Sequence, residues 1–236
     1  MQTEKLEASH RFWNEKAREN PYWYVSSFGP YEGRDLAEFW ASGPRIWNDL
    51  KNALGYSPSP AHTVVEIGCG VGRLTRAIAP EVGRVEAFDI SEEMLTIAKQ
   101  ANLANAGFHR TEGASLAPVA DGAADLVVAY CVFQHLPSEE ILGLYLREMA
   151  RVAKPGALIA FTMTPRTMKD FFAPALRLRR RLKEVLGSAE GAKGLYRSEW
   201  VGIRPTEARV RELSPFTLSR TTLHGDKWLF WGRHGG

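Results

Sequence analysis

Cysteine is scarce in this 236-residue chain, which has only Cys69 and Cys131. Two cysteines without metal-ligand spacing exclude a disulfide framework and a cysteine-based zinc site, so both read as small packing residues. The six histidines, at positions 10, 62, 109, 135, 224 and 234, form no H-E-x-x-H or comparable cluster. No bound metal is expected. No apolar run approaches the length of a membrane span, and Met1 to Glu7 is polar rather than leader-like. The expectation is therefore a cytoplasmic protein that spans no membrane. There is no Pro-, Gly- or Ser-rich linker and no internal repeat, so one core domain with a cap is expected. Nothing in the sequence points to an oligomeric state.

What is present is concentrated in Val64-Val65-Glu66-Ile67-Gly68-Cys69-Gly70-Val71-Gly72. An apolar strand runs into a carboxylate, then a glycine-rich turn, and the spacing predicts a helix opening at Arg73. Glycines let the backbone bend sharply and approach a ligand closely, and free N–H groups at a helix start attract an anion. Glu66 sets a negative charge beside the same turn. The expected ligand thus carries charges of both signs and is nucleotide-like. Arg84 to Phe88 reads as the next strand, and Asp89 at its end can accept from both ribose hydroxyls. A dinucleotide fingerprint would have glycine where Arg73 stands.

With Gly68, Gly70, Gly72, Glu66 and Asp89 in this order, the chain resembles the class I S-adenosylmethionine (SAM)-dependent methyltransferases, in particular their small-molecule branch. The resemblance runs from about Thr63 to Thr162. It includes Phe88-Asp89-Ile90-Ser91-Glu92-Glu93-Met94-Leu95, similar to the ribose and adenine segment, and Asp121 to Val128, similar to the fourth strand. Arg151 to Leu158 is similar to the turn into the fifth. The resemblance implies an α/β fold, a Rossmann-like three-layer sandwich around a seven-stranded, mostly parallel sheet whose last strand is antiparallel. It also implies that SAM is bound and S-adenosylhomocysteine (SAH) released. The turn from Gly68 through Cys69 and Gly70 to Gly72 would take the cofactor's carboxylate, Glu66 its ammonium and Asp89 its ribose. Ile90 and Met94 would sandwich adenine. Glu112-Gly113-Ala114 occupies the segment where relatives present an Asp to the adenine amino group, and Glu112 departs from that pattern.

Strand-length apolar runs alternate with amphipathic helix-length segments. Strands are expected at Thr63 to Ile67, Val85 to Phe88, Phe108 to Thr111, Ala124 to Tyr130 and Ala157 to Met163. Helices are expected over Glu92 to Ala101 and after an N-cap at Ser138, the second ended by Lys154-Pro155-Gly156. Gly225-Asp226 between two apolar stretches predicts a tight hairpin, hence the antiparallel final strands. The division expected is a cap over 1–60, a core over 61–164, a lid insertion over 165–205, and a terminal helix and hairpin over 206–236. The first sixty residues hold eleven of the 25 aromatics, which excludes a disordered tail.

From Arg166 to Leu186 seven basic residues face two acidic ones, a net +5 against +3 for the whole chain. An amphipathic lid helix with a solvated basic side accounts for the run around Arg177 to Lys183, and the sharper readings are an acidic small acceptor, RNA or an anionic membrane surface. No RNA-binding module accompanies the run, which disfavours a nucleic-acid partner. Trp23, Tyr24 and Trp40 in the cap, and Phe133 and Gln134 after the fourth strand, are expected to wall the acceptor pocket. His135, at the pocket rim, is the candidate general base, with structural packing as the competing role. The function expected is methyl transfer to a small organic acceptor, oxygen being favoured over nitrogen or carbon. RNA or protein methylation and a noncatalytic SAM sensor remain the alternatives.

Overall fold

In a computed structural model, the described residues are 2–27, 30–163, 198–223 and 227–235. Three helices lie in the first sixty residues: α1 (Gln2–Glu19), α2 (Pro21–Val25) and α3 (Leu36–Leu54). Asp35 caps α3 by accepting from the amides of Ala37 and Glu38, and Gly55 closes it in the left-handed conformation.

Strands β1 (Thr63–Ile67), β2 (Arg84–Asp89), β3 (Ala106–Arg110), β4 (Ala124–Ala129), β5 (Ala153–Met163), β6 (Ser219–Leu223) and β7 (Lys227–Arg233) form one sheet in the order β3-β2-β1-β4-β5-β7-β6. β1 to β5 pair in parallel, and β7 runs antiparallel to both β5 and β6. This is the seven-stranded mixed sheet expected. The hairpin turn at Gly225-Asp226 lies outside the described residues, but the register Leu223↔Lys227 on either side is that of a hairpin.

Helices α4 (Thr75–Ile78), α5 (Glu92–Lys99), α6 (Glu139–Val152), α7 (Ser198–Val201) and α8 (Glu207–Leu213), with 3-10 turns at Ala79–Glu81 and Phe133–His135, complete the described elements. Ser138 caps α6 through the Ile141 amide. On one face of the sheet α6 buries Leu142, Leu146 and Met149 against β4 and β5; on the other, α3 packs beside α4 and β6 and buries Trp47 and Leu50 in that face's core. Each such buried side chain contributes about 1.5–3 kcal/mol. Open sheets of this kind bind ligands beyond the carboxyl ends of the strands, on either side of the point where strand order reverses. Here that point lies between β1 and β4.

Most boundaries fall within two residues of the sequence reading, β3 starting at Ala106 rather than Phe108, and two differ in kind. α6 already ends at Val152, and Lys154-Pro155-Gly156 falls inside β5, where the register jumps from Ala124↔Ala153 to Leu126↔Leu158. The extra length is accommodated because Lys154 Nζ bonds both oxygens of Asp125 (2.9 and 2.8 Å) and the Gly156 amide donates to the His234 carbonyl. No helix opens at Arg73: the chain stays in a turn through Leu74, and α4 is only four residues long.

Candidate cofactor and acceptor site

The carboxyl ends of β1, β2 and β4 open into a cavity of about 1040 Å³, mouth included, roofed by α1 and α2. Gly68 and Gly70 make the turn possible. Gly68 has φ +71°, and a Cβ there would lie 2.2 Å from Val132 Cγ2; Gly70 has φ +54°, and its Cβ would meet Val25 Cγ2 at 2.7 Å. Gly68→Ala should combine left-handed strain with that collision, lowering the melting temperature by several degrees and abolishing ligand binding. Unfolding scans with and without SAH check both effects.

Four of the turn amides already have partners. Gly68 and Cys69 both donate to the Phe88 carbonyl (2.7 and 2.9 Å), Gly70 donates to Asp89 Oδ2 (2.8 Å), and Gly72 donates to the Cys69 carbonyl. The anion cradle expected from Gly68 to Gly72 thus has those four N–H groups engaged in the ligand-free turn, and α4, only four residues long, adds no long helix behind it. Gly68, Cys69 and Gly70 line the cavity; Gly72 stands behind it, its position for a Cβ 3.3 Å from Ala98 Cβ. The cationic donor on this wall is one the sequence reading left unassigned. Arg73, 8% exposed, lines the cavity with its guanidinium over the Phe39 ring (5.3 Å) and Nη1 donating to Ser42 Oγ (3.1 Å). Its one signal in the sequence is an arginine where a dinucleotide fold has its third glycine.

Two buried carboxylates face it across the cavity. Glu66 accepts from Thr75 Oγ1 (2.6 Å); burial pushes its pKa up to about 7, with Thr75 and Arg73 opposing and Asp89 reinforcing the shift. Asp89 accepts from Gly70 N at Oδ2 and from Ser91 N at Oδ1 (2.8 Å each), and burial lifts it to about 6 against those amides. Each oxygen retains a lone pair for a ligand hydroxyl. Ile90 and Met94 line the same cavity.

Other expected residues lie elsewhere. Glu112 turns out to solvent and pairs with Arg110 (3.0 Å), so the wall at this point is Thr111, with Gly113 and Ala114 packed behind it. Tyr24 lines the cavity, but Trp23 stacks on Trp200 (15° between planes) and Trp40 lies under Arg76. Phe133 is fully buried between Tyr145 and Phe161, because the turn after β4 points its ring into the core. Gln134 is half-buried beside the cavity, its Nε2 3.2 Å from His135 Nε2. The basic run Arg177 to Lys183 and most of the expected lid fall outside the described residues.

His135 lines the cavity between the rings of Trp13 and Trp200. Its Nδ1 lies 2.6 Å from the Trp200 carbonyl. A carbonyl only accepts, so Nδ1 carries the proton and Nε2 presents the lone pair. Burial lowers its pKa to about 4, which the Trp200 carbonyl opposes and Lys227 reinforces. Sequence reasoning missed the α1 residues Leu6, Ser9 and Trp13, which form the roof. Their spacing of three and four was the available signal. Among the described residues no cluster of three or more metal-ligating side chains occurs, and no helix is long and apolar enough to cross a membrane.

Residues 65–161 match the methyltransferase domain family. The matched segment runs from β1 into β5 and contains the glycine turn, Glu66 and Asp89, so this part of the chain is similar to a methyltransferase domain. Among curated proteins it is similar to ubiquinone biosynthesis O-methyltransferases. That of Hahella chejuensis is 30% identical over 115 residues, covering 48% of this chain and 47% of the relative. That of Hydrogenovibrio crunogenus is 26% identical over 112 residues (46% and 45%), and that of Burkholderia vietnamiensis 25% over 197 residues (78% and 83%). The alignments with the first two span about half the length of those relatives. Among solved structures, a DhpI–SAH complex superposes with TM-score 0.63 at 17% identity over 98% of this chain and 97% of that one. Magnesium protoporphyrin IX methyltransferase from Synechocystis, solved with bound SAH, gives 0.60 at 17% over 96% and 98%. These superpositions show the fold.

Proposed function

We propose that this protein transfers the methyl group of SAM to a hydroxyl of a small organic acceptor in the cytoplasm. The observation that carries the reading is the charge pattern of one cavity. Arg73, Glu66 and Asp89 present one cation and two carboxylates to a ligand that bears one carboxylate and two cationic centres. Arg73 holds the α-carboxylate, Glu66 the α-ammonium and Asp89 the ribose diol. The names of the curated relatives support oxygen as the acceptor atom.

The bound cofactor supplies an electrophilic methyl on a sulfonium, whose leaving group is a neutral thioether. The chain's contribution is alignment, exclusion of water and one proton acceptor. With SAM bound, His135 Nε2 would take the acceptor's hydroxyl proton as its oxygen is methylated and SAH is released. That nitrogen is unprotonated across the neutral range because burial keeps the ring neutral. α1 and α2 roof the cavity, and Trp13, beside His135, and Tyr130 supply apolar wall.

SAM and SAH, but not NAD, should raise the melting temperature. At about one hundred times Kd the gain is about 2.7 kcal/mol, a shift of roughly 5–10 °C for a chain of this size. Release of SAH with hydroxylated small acceptors, followed by mass spectrometry of the methylated product, tests the activity itself. No thermal shift with either cofactor form would reject the reading.

A further inference from the structure

We propose that Ser9 of the cap helix α1 is the hydrogen-bond partner of the 6-amino edge of the cofactor's adenine. The inference rests on the SAM reading above and goes beyond it by placing base recognition on the cap rather than on the core.

Ser9 is 4% exposed, lines the cavity, and its Oγ is buried without any hydrogen-bond partner. A serine inside a helix ordinarily bonds back to a carbonyl of the preceding turn, and this one does not. Among the described residues it is the one cavity-lining side chain with such an orphaned atom. A buried, unpaired hydroxyl is destabilising in the free protein, so its presence facing a cavity points to a polar ligand group.

The position of α1 indicates which group. Asn14 Oδ1 accepts from Ser91 Oγ (2.7 Å), and Arg18 reaches Glu93, so α1 is fastened to the segment that follows Asp89. One turn before Ser9, Leu6 packs against Gly113 beyond β3, where a Cβ would come within 3.4 Å of Leu6 Cδ1. Ser9 therefore stands over the nucleoside end of the cavity, away from Arg73. The other polar groups at that end are committed. Glu112 faces solvent, and the Thr111 hydroxyl bonds the carbonyls of Gly113 (2.8 Å) and Ser115 (3.0 Å). A hydroxyl accepts from the N6–H of an aminopurine and rotates freely to donate to N1.

Calorimetry should compare SAH with its analogue carrying hydrogen at purine C6, on wild-type protein and Ser9→Ala. The wild type should prefer SAH by about 5- to 10-fold, and Ser9→Ala should bind the two ligands equally, having lost affinity only for SAH. The free variant should melt no lower than wild type, and up to about 4 °C higher, because alanine removes the orphaned hydroxyl and suits a helix. A merely structural serine would lower stability and affect both ligands alike, which would overturn the inference. Unchanged SAH affinity in the variant would also overturn it, leaving the cofactor reading standing. Failure of the wild type to bind SAH would remove both.

Discussion

Replacing Asp89 with alanine is expected to lower SAM affinity by about 100-fold or more and to erase the thermal shift produced by the cofactor. The size follows from what the carboxylate does. It orders the glycine turn through Gly70 N and the start of the α5 cap through Ser91 N. On the proposed reading its remaining lone pairs meet two ribose hydroxyls, and hydrogen bonds to a charged group contribute about 1.5–3 kcal/mol each. Asp89→Asn should fall between, since its amide nitrogen must face one of the two backbone donors. Titration calorimetry on variants whose circular dichroism matches wild type is the check, and unchanged affinity in Asp89→Ala would remove the ribose assignment.

The same pair of carboxylates makes binding depend on pH. Glu66 at about 7 and Asp89 at about 6 both lie above their unfolded values, so the folded, ligand-free protein holds those protons more tightly than the unfolded chain. Their contribution to stability is accordingly most favourable at low pH and is lost as pH rises from about 4 through 6 to 7. Cofactor affinity runs the other way. A ligand with two cationic centres favours both ionised carboxylates, so binding releases protons at pH 6, strengthens up to about pH 7 and levels off above it. Calorimetry at pH 6 in two buffers of different ionisation enthalpy measures that release directly.

Much of this site could be read from the chain because its main features are local. An apolar run broken by glycines, with carboxylates at successive strand ends, places Glu66, Gly68, Gly70 and Asp89 around one cavity once the strands are parallel and adjacent. The parts that were not legible depend on contacts far apart in sequence. Whether the turn amides are free depends on the Phe88 carbonyl and Asp89, one strand away. Arg73 is buried against Phe39 and Ser42 because Gly43 lets α3 approach it, a Cβ at Gly43 coming within 2.4 Å of the Arg73 carbonyl oxygen. Glu112 matched its segment by position, but an exposed partner, Arg110, two residues away holds it outward. Phe133 and Trp23 were aromatic in the right neighbourhood, yet ring orientation is decided by packing against Phe161 and Trp200, which no local pattern records.

The other large effect is expected at His135, where two nitrogens with separate tasks allow two substitutions to pull them apart. Nδ1–H ties the turn after β4 to the Trp200 carbonyl, and Nε2, which accepts from the Gln134 amide in the ligand-free protein (3.2 Å), is the proposed proton acceptor. Asparagine in its place would put an amide donor near the position of Nδ1 and leave nothing at that of Nε2. His135→Asn should therefore melt close to wild type while kcat falls by about 100-fold or more. His135→Ala should lose the same activity and several degrees of stability together. SAM affinity should stay within about twofold in both, since neither change touches Glu66, Arg73 or Asp89. The pKa near 4 adds a further constraint. If this ring takes the proton, kcat for a hydroxyl acceptor should show no loss from histidine protonation between pH 5 and 9. An asparagine variant with wild-type turnover would leave His135 a structural clasp between the β4 turn and α7. A base lost with full retention of stability would place the proton on Nε2, because the clasp through Nδ1 is the one function that asparagine preserves.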